Sequence, residues 1–145
     1  MKATVLLVLF LGLTGLFSST GCFKEAENID DVLLGKWDVV KVNGQYYLLG
    51  IRIFDITDNN PSGTIEFREN GTGTQDYTFY INNQSYDNKG LFNWQADDTI
   101  IYINRGTTEE LQWKRIINQS NTQEATYRIE GNNNDYTDYT LTMSK

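Results

Sequence analysis

Short runs of alternating apolar and polar residues fill most of the chain after residue 36, and no other feature restricts its fold as strongly. The run at residues 124–130 is the clearest, because Ala125, Tyr127 and Ile129 alternate with charged or hydroxyl-bearing neighbours. Residues two apart on a β-strand lie on the same face, so each run predicts a strand with one apolar and one solvated face. About nine such runs follow one another, which indicates an all-β domain.

Two of the early runs carry specific predictions. In the first run, Trp37, Val39 and Lys41 are predicted to share one face of a strand. The apolar-rich segment at residues 46–56 alternates less regularly, and we predict that it forms one strand with a break at Gly50.

Turns, rather than crossover helices, connect the predicted strands. Asn70-Gly71 is a preferred residue pair of a type I′ hairpin. Antiparallel neighbours need only such turns, whereas parallel neighbours need long crossovers, so we expect an antiparallel sheet. Its apolar face must be covered by a second sheet or by closure into a barrel. The domain is predicted to span residues 30–145 and to begin with one short helical turn, which Asp30 caps and Gly35 ends.

The content of ionisable side chains excludes several classes of function. The 145-residue chain has no histidine, which excludes histidine-based catalytic triads and histidine-ligated metal sites. Its single cysteine removes an intrachain disulfide and a cysteine-rich zinc site. The formal net charge of −7 argues against nucleic-acid binding, which usually requires a basic surface.

The N-terminal residues have the order of features found in export signals. Lys2 precedes a largely apolar, uncharged run at residues 3–17, which is short for a membrane span of about 20 residues. Ser19-Thr20-Gly21-Cys22 then resembles the lipobox at which exported bacterial lipoproteins are cut and acylated. We therefore predict a signal peptide at residues 1–21 and a lipidated tether at residues 22–29. A plain secretory signal and an uncut N-terminal anchor are the alternatives.

The lipobox resemblance implies a place for the protein in the cell. It implies a diacylglyceryl group on Cys22 and a third acyl chain, typically palmitate, on its amine, and several chains hold a protein firmly on a bilayer. Phe23, rather than aspartate, follows the cysteine, which resembles lipoproteins sent on to the outer membrane. We therefore expect an outer-membrane lipoprotein of the cell envelope that faces the periplasm or the cell surface.

Four pieces spread over the domain resemble the lipocalin-like domains of exported bacterial lipoproteins. Gly35-Lys36-Trp37 is similar to the Gly-x-Trp signature of lipocalins, in which the tryptophan closes the bottom of the barrel. The other pieces are residues 65–73, 92–94 and 139–142. The resemblance implies an up-and-down, calycin-type β-barrel of about eight to nine antiparallel strands.

The resemblance also implies a cation beside the signature tryptophan. Lipocalins usually place an arginine near the last strand, where it stacks on this ring. Residues 139–145 contain no arginine, which leaves Arg115 and Arg128 as alternatives for the partner of Trp37.

Large side chains on the predicted inner faces would either fill the barrel or line a ligand cavity. A barrel of about eight strands can do both, since its interior is wide enough for side chains or for one small ligand. The residues in question are Phe67, Phe79, Phe92, Trp94, Trp113 and Tyr127.

The sequence offers no catalytic residue and no strong metal site. Its acidic pairs lie at expected turns or element ends, and adjacent residues on a strand point to opposite faces, so the carboxylates of a pair would not converge on one substrate. The oxygen-rich segments at residues 55–60 and 132–135 lack the spacing of an EF-hand, and turns commonly use the same residue types. The pairs are Asp30/Asp31, Asp97/Asp98 and Glu109/Glu110.

These features favour one class of function over two others. We expect a membrane-anchored, non-enzymatic lipoprotein that needs no cofactor and binds a small apolar or amphipathic ligand. The alternative is an interaction protein with a filled barrel, which contacts a protein or glycan through its outer face and loops. An enzyme is disfavoured because the chain has no histidine.

Overall fold

The computed structural model describes residues 30–145, which contain nine β-strands. The predicted signal peptide at residues 1–21, Cys22 and the tether at residues 22–29 lie outside the described residues. The strands are β1 (Gly35–Leu48), β2 (Ile51–Asp58), β3 (Ser62–Phe67), β4 (Thr72–Ile81), β5 (Gln84–Ala96), β6 (Ile100–Ile103), β7 (Leu111–Gln119), β8 (Thr122–Glu130) and β9 (Asp135–Ser144).

The strands form one closed antiparallel sheet. Each strand from β3 to β9 pairs with the next along the chain, and β9 returns to pair with β1 from Asp38 to Leu48. The first half of β1 pairs with β3, which closes an up-and-down barrel of eight strands. Strand β2 is an additional strand on the second half of β1. The predicted all-β, antiparallel barrel is therefore confirmed.

Strands β2 and β3 lie on the same side of β1, one after the other. The pairing of β1 with β3 ends at Asp38 opposite Thr64, and its pairing with β2 begins at Val42 opposite Asp58. Pro61 lies in the interruption between the two strands, and proline has no N–H to donate to a ladder. The wall therefore opens above the interruption, where β2 pairs with β1 alone.

The first strand differs from its prediction because it contains a bulge. Val39 lies opposite Met143 and Lys41 opposite Thr142, so Val40 is an extra residue without a partner on β9. Val42 is consequently buried, whereas Val40 is 40% exposed. The expected sharing of one face by Trp37, Val39 and Lys41 is therefore wrong from residue 40 onward.

The segment at residues 46–56 is a hairpin rather than one broken strand. β1 ends at Leu48, the chain reverses through Leu49 and Gly50, and β2 begins at Ile51. Both turn residues have a positive φ, of 51° and 79°, as a type I′ turn requires. The predicted break at Gly50 is in fact a complete reversal of the chain.

The hairpin predicted at Asn70-Gly71 is present with a different turn. Gly71 N donates to Arg68 O at 3.0 Å, and only Gly71 of the predicted pair has a positive φ. A type I′ turn needs a positive φ at both central residues, so this turn is not of that type.

The predicted N-terminal helical turn is a single hydrogen-bonded turn. Leu33 N donates to Asp30 O at 3.0 Å, and the Asp30 carboxylate accepts from Val32 N at 2.9 Å. Within residues 30–145 no helix is long and apolar enough to cross a membrane.

One end of the barrel is closed around Trp37. The indole is fully buried, and its Nε1 donates to Leu33 O at 2.7 Å. Lys145, rather than Arg115 or Arg128, provides the cation, since its Nζ lies 4.3 Å from the centroid of the Trp37 ring. Sequence reasoning considered only arginines for this place and so missed the lysine that follows β9.

Arg115 has a separate role at the same end. Its side chain is only 2% exposed and forms an ion pair with Asp30. Nη1 also donates to Asp97 O at 2.9 Å, and Nη2 donates to Gln123 Oε1 at 3.1 Å. This network fastens the start of the domain to the turn before β6 and to β8.

Candidate functional site

The closed half of the barrel is filled by side chains. The Phe67 ring packs edge-on against Phe92 at 5.5 Å and against Trp94 at 5.2 Å, and all three residues are buried. Trp94 Nε1 donates to Thr72 O at 3.0 Å. These three of the predicted interior residues are therefore core residues, and none of them lines the larger cavity described next.

The open half of the barrel contains a cavity of about 370 Å³. Its volume lies at the low end of the range for small-molecule sites in proteins, roughly 300–1,000 Å³. Phe79, Trp113 and Tyr127, the other three predicted interior residues, are among its walls. The remaining lining residues are Gln75, Tyr77, Ser85, Tyr86, Asp87, Asn88, Leu111, Ile129 and Tyr139.

Unequal strand lengths leave this half of the barrel open. Strand β5 pairs with β4 along residues 84–93, but it pairs with β6 only along residues 94–96. Strand β6 has four residues and β7 begins at Leu111, so the wall is lower on this side. The cavity lies beneath this gap, between the first half of β5 and the last residues of β8.

Two stacks of aromatic rings form the walls of the cavity. In one stack, the Tyr127 ring lies 5.3 Å from Trp113 and 5.4 Å from Tyr139, with interplanar angles of 19° and 26°. In the other stack, the Phe79 ring lies 6.2 Å from Tyr77 and 5.2 Å from Tyr86, at 20° and 9°. The stacks meet where Phe79 contacts Tyr139 edge-on at 5.7 Å.

The cavity tyrosines keep their protons at neutral pH. Burial raises the pKa of Tyr77 to about 12, and burial is also the main reason why the pKa of Tyr127 lies well above its ordinary value. The pKa of Tyr139 is raised as well, chiefly by burial and then by the nearby Tyr86. The cavity is thus lined by neutral hydroxyl groups that can donate or accept hydrogen bonds.

Trp113 has a hydrogen-bond donor without a partner. Its Nε1 is buried and has no acceptor among residues 30–145. Buried polar groups in proteins are nearly always paired with protein or water. The nitrogen has almost no accessible surface, so Trp113 contributes its ring, and not this donor, to the cavity.

A second cavity of about 270 Å³ lies beside the first. Tyr86 and Tyr139 line both cavities, so these two side chains form the partition between them. Phe54 and Tyr46, whose rings stack at 5.2 Å, form part of its outer wall.

Three cavity tyrosines were not singled out as site residues by sequence reasoning. Tyr77 lies on β4 and is buried, and Tyr139 on β9 lines both cavities. Tyr86 lies in β5 opposite Phe79, where the polar residues around it hide the alternation in the sequence.

One member of each of two acidic pairs is held by a partner at a turn. Asp30 is paired with Arg115, and Asp97 Oδ1 accepts from the backbone nitrogens of Thr99 and Ile100 at 2.7 and 2.8 Å. These hydrogen bonds, led by that from Thr99, lower the pKa of Asp97. In the described part of the chain, no group of three or more acidic, cysteine or histidine side chains could hold a metal ion.

Two solved structures are similar to this chain. A bovine odorant-binding protein, a deswapped triple mutant, is 13% identical over 79% of this chain and 74% of that chain, with a TM-score of 0.44. A dog lipocalin allergen is 12% identical over 78% of this chain and 73% of that chain, with a TM-score of 0.45. The likeness at these identities concerns the fold alone. No protein-family model and no curated protein matches the chain.

Proposed function

We propose that this chain is an exported lipoprotein, held on the outer membrane by acyl chains on Cys22, whose barrel binds one small, largely apolar molecule. The observation that carries the binding function is the cavity of about 370 Å³ with six aromatic side chains in its walls. Its aromatic rings provide apolar surface, and its hydroxyl and amide side chains provide polar groups. A preformed concave site that combines the two is the usual form of a small-molecule site.

Ligand binding can be tested with a variant that blocks the cavity. Ile129 lines the cavity and is 42% exposed, so Ile129→Trp would place a large ring at its mouth while leaving the core unchanged. The full-length protein in lipid nanodiscs would be titrated with the fluorescent probe N-phenyl-1-naphthylamine, and the signal of empty nanodiscs would be subtracted. We expect saturable binding that is lost in Ile129→Trp.

A matched control separates blockage from a general effect of the new ring. Ile116 is 56% exposed on β7 and does not line the cavity, so Ile116→Trp should bind the probe like the unchanged protein. Equal binding by all three proteins would place the probe outside the cavity and would count against the proposed function.

The membrane anchor requires its own experiment. The order of Lys2, the apolar run and Cys22 supports acylation. We expect metabolic labelling with palmitate that is lost in Cys22→Ala, together with sedimentation of the unchanged protein in the outer-membrane fraction. Unchanged labelling of Cys22→Ala would reject the anchor without affecting the ligand-binding proposal.

A second candidate function has one specific observation in its favour. The tip of the β1–β2 hairpin exposes large apolar side chains, with Leu49 70%, Ile51 67% and Ile53 56% exposed. Such a patch is suited to contact with another protein. A photo-crosslinking residue at position 51 would then give a discrete adduct in intact cells, whereas the same residue at Leu91, which is even more exposed, would not.

A further inference from the structure

The lining of the two cavities contains hydrogen-bond donors but no positive charge. Among residues 30–145, no lysine or arginine lines either cavity. The one carboxylate in the lining is that of Asp87, an exposed residue whose Oδ1 accepts from Thr78 Oγ1 at 2.6 Å. A carboxylate ligand entering this space would lose its hydration without gaining a cationic partner, and Asp87 would repel it.

The donors define what the cavity can satisfy. The four tyrosines in the lining, Tyr77, Tyr86, Tyr127 and Tyr139, bring hydroxyl groups that can each donate one hydrogen bond. A hydroxyl group that loses its water when a ligand enters costs free energy, and an acceptor oxygen on the ligand can offset that cost. An uncharged acceptor, such as a carbonyl oxygen, does so without bringing a net charge into the cavity.

The two aromatic stacks define the shape of the ligand. Neighbouring rings within each stack are within 26° of parallel, and the Phe79 and Tyr139 rings, where the stacks meet, lie at 68° to each other. Flat ring systems pack well against such surfaces in offset-stacked or edge-to-face arrangements. A flat molecule in this corner can place its face against one stack and its edge against the other.

From these observations we propose that the cavity selects uncharged, flat molecules that carry a hydrogen-bond acceptor, such as aromatic ketones or quinones, and rejects anionic amphiphiles such as fatty acids. This selectivity rests on the proposed function, since it requires that the cavity bind a ligand.

Three naphthalene derivatives of nearly equal shape test the selectivity. 2-Acetylnaphthalene carries a carbonyl, 2-ethylnaphthalene lacks an acceptor, and 2-naphthoate carries a charge. Their affinities would be measured at neutral pH by calorimetric titration of the full-length protein in nanodiscs, with empty nanodiscs as the blank. We expect 2-naphthoate to bind at least about 30-fold more weakly than the ketone, and 2-ethylnaphthalene about three- to tenfold more weakly.

Variants of two lining residues test the effect of charge and the need for an acceptor separately. Gln75 lines the cavity, so Gln75→Lys adds the missing cation and should strengthen 2-naphthoate binding at least about tenfold. Gln75→Met, of similar size, should leave the rejection of the anion unchanged. Tyr77→Phe removes a hydroxyl and should reduce the preference for the ketone over 2-ethylnaphthalene by about threefold.

The outcomes distinguish this selectivity from the proposed function. If 2-naphthoate binds the unchanged protein as tightly as the ketone, or gains nothing from Gln75→Lys, the charge selectivity is wrong while ligand binding stands. If the ketone and 2-ethylnaphthalene bind equally, the acceptor requirement is wrong. If none of the three compounds and no N-phenyl-1-naphthylamine binds, both the selectivity and the proposed function are rejected.

Discussion

The ammonium nitrogen of Lys145 lies 4.3 Å from the centroid of the Trp37 ring and donates a hydrogen bond to Leu34 O at 2.6 Å. Lys145, which follows β9, thus fastens the closed end of the barrel to the residue just before β1. We expect Lys145→Met to lower the free energy of unfolding by about 1 kcal/mol, because it removes both the cation–π contact and the hydrogen bond. Lys145→Arg should retain most of this stability.

Urea denaturation followed by tryptophan fluorescence would measure the difference. Lys114 is exposed on the outer face of β7, so Lys114→Met is the matched loss of one lysine charge. It should stay within about 0.5 kcal/mol of the unchanged protein. An equal effect of the two substitutions would show that only net charge matters and that the Lys145 contacts contribute nothing.

Gly73 makes room for the ring of Phe92 on the neighbouring strand. The two residues are directly opposite in the β4–β5 ladder, and a Cβ atom added to Gly73 would lie 2.3 Å from two carbons of that ring and 2.7 Å from Glu66 O. Gly73→Ala should therefore destabilise the fold by about 1–3 kcal/mol, because the core must move to avoid the overlap.

Two further variants test this explanation for Gly73. A Cβ at Gly90, on the partner strand, would meet nothing within 4 Å, so Gly90→Ala should change the urea midpoint little. Phe92→Leu added to Gly73→Ala should recover part of the loss, since it removes the ring. No recovery would indicate that the contact with the backbone at Glu66 dominates.

The alternation of apolar and polar residues was sufficient to predict the barrel but not its irregularities. Ala125 and Tyr127 are buried as predicted, because a regular strand has a strict period of two. Val40 breaks that period in β1, and nothing in the residue types distinguishes a bulged valine from a paired one. The hairpin at Leu49 was missed for a related reason, since leucine is not a residue that signals a turn with positive φ.

The cavity was predicted only in part, because a ligand site depends on strand lengths as well as on residue types. Phe67 and Phe79 are both large, apolar and inward-facing, so the residue pattern predicts core or cavity lining equally for each. They differ in height along the barrel, and the wall is lowered only beside the half that contains Phe79. That difference arises from the four-residue length of β6, which the sequence pattern does not specify.

Leu49 has an unfavourable backbone conformation for its residue type. The four other non-glycine residues with positive φ in the described chain are all asparagine, which tolerates this region better than leucine. Leu49 is also 70% exposed, so its side chain contributes little packing. We expect Leu49→Asn to raise the free energy of unfolding by roughly 0.5–1 kcal/mol.

Leu49→Ala provides the control for this gain. It removes the exposed apolar side chain but keeps the Cβ atom, which makes a positive φ sterically unfavourable. It should remain close to the unchanged protein in chemical denaturation. A gain of equal size in both variants would mean that loss of apolar exposure, rather than relief of backbone strain, causes the effect.

Arg115 and Asp30 form a largely buried ion pair that closes the barrel at the end where the described chain begins. Asp30→Ala would leave the guanidinium buried without its carboxylate partner, and should lower stability by about 2–4 kcal/mol. The adjacent, exposed Asp31 supplies the control, since Asp31→Ala should cost less than about 0.5 kcal/mol. In a double-mutant cycle, Asp30→Ala should cost much less when Arg115 is already methionine, and additive losses would contradict a coupled pair.

Tyr77 links the cavity to stability at alkaline pH. Burial raises the pKa of its phenol from the ordinary value of 10.0 to about 12, so the folded protein keeps this proton at a pH where the unfolded chain has lost it. The contribution of the neutral phenol to stability is fully present below pH 10 and is lost as the pH rises through about 12. Urea midpoints measured across this window should therefore fall, and they should fall less in Tyr77→Phe, which cannot ionise.

Tyr80 is an exposed neighbour on the opposite face of β4, so Tyr80→Phe should show the same decline as the unchanged protein. A decline of the same steepness in all three proteins would show that the Tyr77 phenol is not the group responsible.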